Sequence, residues 1–182
     1  MTTLDPIYLL TLTILIAFVF TAAGIHKVLN ISRHAGVVAD YRVVPAWTVP
    51  VLAPLLIILE FAVVALILLP GSRLAGVILA IGLLLIYIFS IALNLVRGRT
   101  SIDCGCAWGS QGHPISAWLI VRNLIMIALA LLALFPSADR SMQPADWVLA
   151  AFAGTAVIAV YAIGDLLIAN GSKRGELKAA TR

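Results

Sequence analysis

Five runs of apolar residues, at about 7–28, 51–69, 74–96, 117–135 and 147–169, constrain this chain more than any motif in it. A helix rising about 1.5 Å per residue needs roughly 17 or more such residues to cross ~30 Å of hydrocarbon. Each run is long enough. Barrel strands run to about ten residues and alternate in polarity, and these runs do neither. The expected fold is therefore all-α, a polytopic membrane helix bundle with five transmembrane helices, a four-helix core plus one. A single integral membrane domain is expected to cover residues 1–182. The first run lacks a basic leader and is too long for a signal-peptide core, so it is expected to be retained.

Composition points the same way. Hydrophobic residues make up 63% of the chain and charged residues 11%, against about 45–50% and roughly 25% in a soluble domain. The net charge of +4 comes from loops and tail, with no basic stripe and no nucleic-acid motif. That excludes nucleic acid as a partner and leaves the lipid bilayer; the charge reports topology.

The connections are unequal. Pro70-Gly71-Ser72 reads as a tight turn that makes the second and third spans antiparallel neighbours. Residues 30–50 are mixed, and Tyr41 and Trp47 suit an amphipathic segment lying on the bilayer surface. Residues 170–182 form a basic tail expected to fray. With five spans, residues 30–50, residues 97–116 and the tail share one side. Of the 12 Lys and Arg residues, only Arg73 and Arg140 fall on the other side.

Several polar residues interrupt the apolar runs. Glu60 sits near the middle of the second span, where an acid costs about 2.5–3.5 kcal/mol to insert. It must face the bundle interior, be protonated, or be paired. Lys27 and His26, at the end of the first span, are its natural partners. The pairing fixes helix register or handles protons in redox chemistry. Arg122 reads as an anchor for its helix end, snorkelling toward the 97–116 side, and Asn94 as an interhelical hydrogen-bonding group. Gly76 with Ala80, and Ala150 with Gly154, have the spacing of close helix packing.

The only two cysteines, Cys104 and Cys106, stand in the stretch Asp103-Cys104-Gly105-Cys106-Ala107-Trp108-Gly109. Three readings are open. Two inert thiols are one. A metal site drawing on Cys104, Cys106, His113 and Asp103 or His34 is a second, although zinc sites usually show two paired motifs; the expectation is no metal. The third is a vicinal redox pair. Residues two apart in extended chain lie about 6.5–7 Å apart, at the edge of the ~4.4–6.8 Å that a disulfide spans, and Gly105 permits closure. Arg97, Arg99 and Arg122 favour a thiolate, while Asp103 opposes them. Trp108 can pack over the pair or on a planar cofactor.

Asp103-Cys104-Gly105-Cys106 with the following Gly109 resembles the signature of the MauE family of methylamine utilisation proteins, within a wider group of redox-associated membrane proteins related to DoxX. Gly24, Lys27, Tyr41, Pro45, Glu60, Gly71 and Arg122-Asn123 agree with it, over roughly residues 10 to 135. Family members often have Phe-Gly directly after the second cysteine, where this chain has Ala107-Trp108-Gly109. The resemblance implies a maturation factor acting with a thioredoxin-like, MauD-type partner. Its client would be the disulfide-rich periplasmic small subunit of methylamine dehydrogenase.

The expected function is then that of a thiol–disulfide oxidoreductase in the bacterial inner membrane, with Cys104 and Cys106 as the reactive pair. Glu60, Lys27, His26, Asp103, Trp108 and Arg122 are its supporting residues. Two cysteines provide no second internal pair, so the relay needs an outside half: the thioredoxin-like partner, a membrane quinone, or both. The competing class is a non-enzymatic scaffold that recruits partner or client. Two arguments oppose each other on orientation: the basic residues put the cysteine stretch in the cytoplasm, whereas a periplasmic client needs it outside.

Overall fold

The computed structural model describes residues 3–69, 71–100, 102 and 115–180, with side chains as far as Gly164. Its helices are α1 (Pro6–Leu29), α2 (Ile31–Asp40), α3 (Val49–Leu68, entered through a 3-10 turn at Ala46–Thr48), α4 (Arg73–Val96), α5 (Ala117–Leu132) and α6 (Pro144–Ala180). The expected all-helical membrane bundle is what is found. α1, α3 with its 3-10 turn, α4 and α6 up to Gly164 are each long and apolar enough to cross a membrane, and α5 is a shorter apolar helix.

Local chemistry sets the ends. The Asp5 side chain accepts from the Ile7 amide at 2.9 Å, and Pro6 opens α1, where its missing N–H costs nothing. Between α3 and α4, Gly71 adopts φ +81, and the Ser72 hydroxyl donates to the Leu66 carbonyl at 2.7 Å. α4 ends as Gly98 (φ +69) turns the chain: the Gly98 amide bonds the Leu95 carbonyl, and the Arg99 amide the Asn94 carbonyl, both at 3.0 Å. That pair of bonds is a Schellman closure.

Packing follows chain order. α1 lies against α3, α3 against α4, α4 against α5, and α5 returns to α1; α6 leans on the outside of α1. This is the four-helix core plus one. Leu15, Ile16, Phe20, Val63, Val77, Ala80, Leu83 and Met126 fill its centre. A Cβ on Gly76 would come within 2.7 Å of the Ile67 amide nitrogen, so hydrogen there lets α3 and α4 approach backbone to backbone. Ala150 is fully buried, and Gly154 faces Ile14, which seats α6 on α1.

Three boundaries differ from the sequence expectation. α5 stops at Leu132 and continues only as turns to Phe135, because Pro136 follows. α6 runs on past 169 to Ala180. Polarity marks where a span leaves hydrocarbon, but the stretch contains no proline, and its Lys, Arg, Glu, Leu and Ala residues outnumber its two glycines and can extend a helix in water as well. Tyr41, expected at the bilayer interface, is buried, while Trp47 is exposed. Arg42 takes a left-handed φ of 46, and this turn folds Tyr41 inward beneath α2.

Each end of the bundle is closed by contacts among the described residues. At the N-terminal end, Leu4 pairs with Ser137, and Arg140 binds Asp5 through Nε to Oδ2 at 2.9 Å and Nη2 to Oδ1 at 3.1 Å. Arg140 Nη1 also reaches Asp146 at 2.7 Å. α2, the end of α4 and the start of α5 meet at the other end.

Candidate functional site

A polar knot lies inside the bundle. Lys27 stands in the last turn of α1 and is 4% exposed; Glu60 in α3 is fully buried. Side chains on a helix tilt toward its N-terminus, so the Lys27 stem runs from the helix end back into the bundle. There its ammonium forms an ion pair with Glu60 Oε1 and donates to the Tyr87 hydroxyl of α4 at 3.0 Å. Tyr87 donates in turn to Glu60 Oε1 at 2.6 Å, and the ammonium lies 4.7 Å from the centre of the Tyr87 ring.

The geometry closes a triangle across α1, α3 and α4. Both bonds to Glu60 run into one oxygen, Oε1, which accepts from Lys27 and from Tyr87. Its other oxygen, Oε2, is buried with no hydrogen-bond partner. Lys27 is the residue that takes Glu60. Its neighbour His26 points about 100° away around the helix and faces an outer cleft instead. Tyr87 escaped the sequence reading. The signal available was a phenol in mid-span, because a buried tyrosine hydroxyl normally finds a partner.

A second polar arrangement lies at the cysteine end. Asn94, fully buried near the end of α4, donates through Nδ2 to the Tyr41 carbonyl at 2.9 Å and to the Ser90 carbonyl at 3.0 Å. Arg97 Nη1 reaches the Arg42 carbonyl at 3.2 Å, and Arg99 Nη1 reaches Asn94 Oδ1 at 3.3 Å. Asn94 thus ties a helix to the turn after α2, not one helix to another. Its single side chain satisfies a carbonyl of that turn.

Ile102 and Ile115, which flank the cysteine stretch, are both buried against Val37, Tyr41 and Ile91, and the Ile115 amide donates to the Ile102 carbonyl at 3.0 Å. Asp103, Cys104, Cys106, Trp108 and His113 lie outside the described residues. Arg122, in the second turn of α5, meets α6. Its guanidinium lies 5.8 Å from the centre of the Tyr161 ring, within cation–π range, and this joins α5 to α6.

Comparison with known proteins adds the family. The model of the methylamine utilisation protein MauE family matches residues 5–136. Methylamine utilization protein MauE of Paracoccus denitrificans is 36% identical over 128 residues, covering 70% of this chain and 69% of its own. Its namesake from Methylophilus methylotrophus is 30% identical over 166 residues, covering 90% and 87%. No solved structure matches the chain. With most of its helical core inside the matched region, the chain belongs to the MauE family.

Proposed function

We propose that this chain is a membrane thiol–disulfide redox protein of methylamine utilisation, and that Cys104 and Cys106 are its reactive pair. Family membership supports the pathway. The observation that carries the redox reading is the closed base at Ile102 and Ile115. The two cysteines, separated only by Gly105, lie between the two closed residues. Arg97 and Arg99, a few residues before the pair in sequence, add positive charge to this stretch of chain, and positive charge favours the thiolate, the form that attacks a disulfide.

The chemistry is exchange through a mixed disulfide. A client dithiol gives up two electrons and two protons to become a disulfide, and the Cys104–Cys106 disulfide takes up two electrons and two protons to become a dithiol. A thioredoxin-like, MauD-type partner or a membrane quinone then removes those electrons. A client such as the methylamine dehydrogenase small subunit requires the pair to act on the outer side of the bacterial inner membrane. Lys27, Glu60 and Tyr87 serve as positioning residues: they tie α1, α3 and α4 together beneath the reactive end.

Serine at Cys104 and Cys106, singly and together, tests the reading in cells that express client and partner. Client disulfides should fail to form in the double variant. One single variant should trap a mixed disulfide with the partner, visible on a non-reducing gel. Client maturation that survives the double substitution would leave the protein as a scaffold that recruits partner or client.

A further inference from the structure

Asn94 uses its whole side chain in a place closed to water. Its two amide hydrogens go to the Tyr41 and Ser90 carbonyls, and its Oδ1 accepts from Arg99 Nη1. The Asn94 carbonyl also accepts from the Arg99 amide at 3.0 Å. The carbonyl that follows Tyr41, that of Arg42, accepts from Arg97 Nη1 at 3.2 Å. Two successive carbonyls of one turn are thus held from the end of α4. Arg42 sits there at φ 46, a conformation that costs a non-glycine residue energy and persists where its surroundings over-determine it.

The strained turn preserves a seat. Tyr41 lies inward and, with Val37 of α2 and Ile91 of α4, makes the apolar surface against which Ile102 and Ile115 are buried. Ile102 and Ile115 are joined there by the hydrogen bond from the Ile115 amide to the Ile102 carbonyl. In sequence, Arg99 stands three residues before Ile102 and Cys104 two residues after it. Resting on the redox reading above, we propose that Asn94 is a positioning residue for the Cys104–Cys106 pair. It acts through the Tyr41 turn and through Arg99.

The first arm is mechanical. Fixing both ends of the 12 residues from 103 to 114 costs closure entropy, which burial of Ile102 and Ile115 on the seat offsets. The second arm is electrostatic. Asn94 Oδ1 is a neutral acceptor, so it holds the Arg99 guanidinium without cancelling its charge. A positive charge held in place stabilises a thiolate more than one that samples solvent. The thiolate belongs to the reduced state, and stabilising the reduced state makes a disulfide the stronger oxidant. Loss of Asn94 therefore moves the midpoint to more negative potential.

The redox midpoint of the purified full-length protein in detergent, set by glutathione buffers, separates positioning from stability alone. Asn94→Leu should lower it by roughly three- to tenfold in the equilibrium constant, tenfold being about 30 mV. Alkylation of the reduced variant by iodoacetamide at pH 7 should slow, because less thiolate is present. Arg99→Gln, at a half-buried position, should reproduce part of the shift and keeps the test decisive if Asn94→Leu misfolds. Met126→Ala, in the bundle centre away from the seat, should lower the thermal midpoint and leave the redox midpoint in place. An unmoved redox midpoint in either folded variant, or an equal shift in Met126→Ala, would overturn the positioning role. A wild-type protein with no shared two-electron transition would instead overturn the redox reading, and this proposal with it.

Discussion

Two ion-pair clusters of similar composition sit in opposite surroundings. Arg140 clamps Asp5 and Asp146 at the N-terminal end of the bundle, where all three side chains are partly open to solvent. Lys27 joins Glu60 and Tyr87 in the interior, where both charges are almost wholly excluded from water. The same chemistry has different consequences. The outer clamp is screened and replaceable by water, and it serves to close the chain termini of two helices. The inner knot has no such substitute. Each partner is tolerable there only because the others are present, so it dictates how three helices align.

Removing one partner of the inner knot breaks this comparison most sharply. Glu60→Ala or Lys27→Ala leaves a buried charge unpaired and should cost about 3–5 kcal/mol, seen as a large drop in the thermal midpoint in detergent. The double variant Lys27→Met with Glu60→Leu should recover most of that loss. If the single and double variants unfold alike, the knot is not the coupled unit inferred from its geometry. If the double variant is stable yet client maturation stays lost, the knot handles protons as well as aligning helices.

Tyr87→Phe should come next in size, costing about 1.5–3 kcal/mol, because it removes a hydrogen bond to a charged acceptor while leaving the ion pair. Chemical denaturation of the same preparation measures it. A smaller, pH-dependent effect belongs to His34. Its folded-state pKa of about 4 lies below the ordinary 6.5, so the folded protein carries it neutral. As pH falls through 6.5 toward 4, an undocked α2 takes up a proton that the docked helix refuses, and docking weakens. Hydrogen exchange of the α2 amides, corrected for intrinsic rate, should show progressive opening over that window only. The His34→Gln variant should show no such window.

The smallest effect should come from the outer clamp. The Arg140 guanidinium holds the Asp5 carboxyl below its ordinary value, so any contribution is present above that value and fades as the pH falls through the lowered one. Arg140→Ala should shift the thermal midpoint barely at all near neutral pH, and 0.5 M salt should erase the difference. A loss comparable to that of Glu60→Ala would erase the contrast between the two clusters.

How much of this was legible follows from where each residue had alternatives. Hydrocarbon leaves a backbone little choice, so run length located the spans to within a few residues. It could not foresee that α6 would outlast its apolar stretch. Glu60 was legible for the same reason: an acid at mid-span must be met, and Lys27 was the cation within reach. Tyr87 was not, because a tyrosine among Leu and Ile reads as filler until its hydroxyl has a destination. The cleft was hidden too. It arises where Asn30 breaks the chain between α1 and α2, and no periodic pattern marks a surface made by two helices meeting. Exposed apolar residues such as Leu85, Ile86 and Phe89 carried little information, since lipid and protein interior reward the same side chains.

The central claim rests on Cys104 and Cys106, and their midpoint potential tests it most directly. The purified protein is equilibrated in graded dithiothreitol and glutathione buffers, then quenched with a thiol-reactive mass tag. The expected result is a single two-electron transition, with both cysteines gaining tags together at a midpoint above about −300 mV, the range of exchangeable disulfides. A pair that stays oxidised well below that potential would be a structural brace. Cysteines that tag independently, with no shared transition, would not form a redox pair at all.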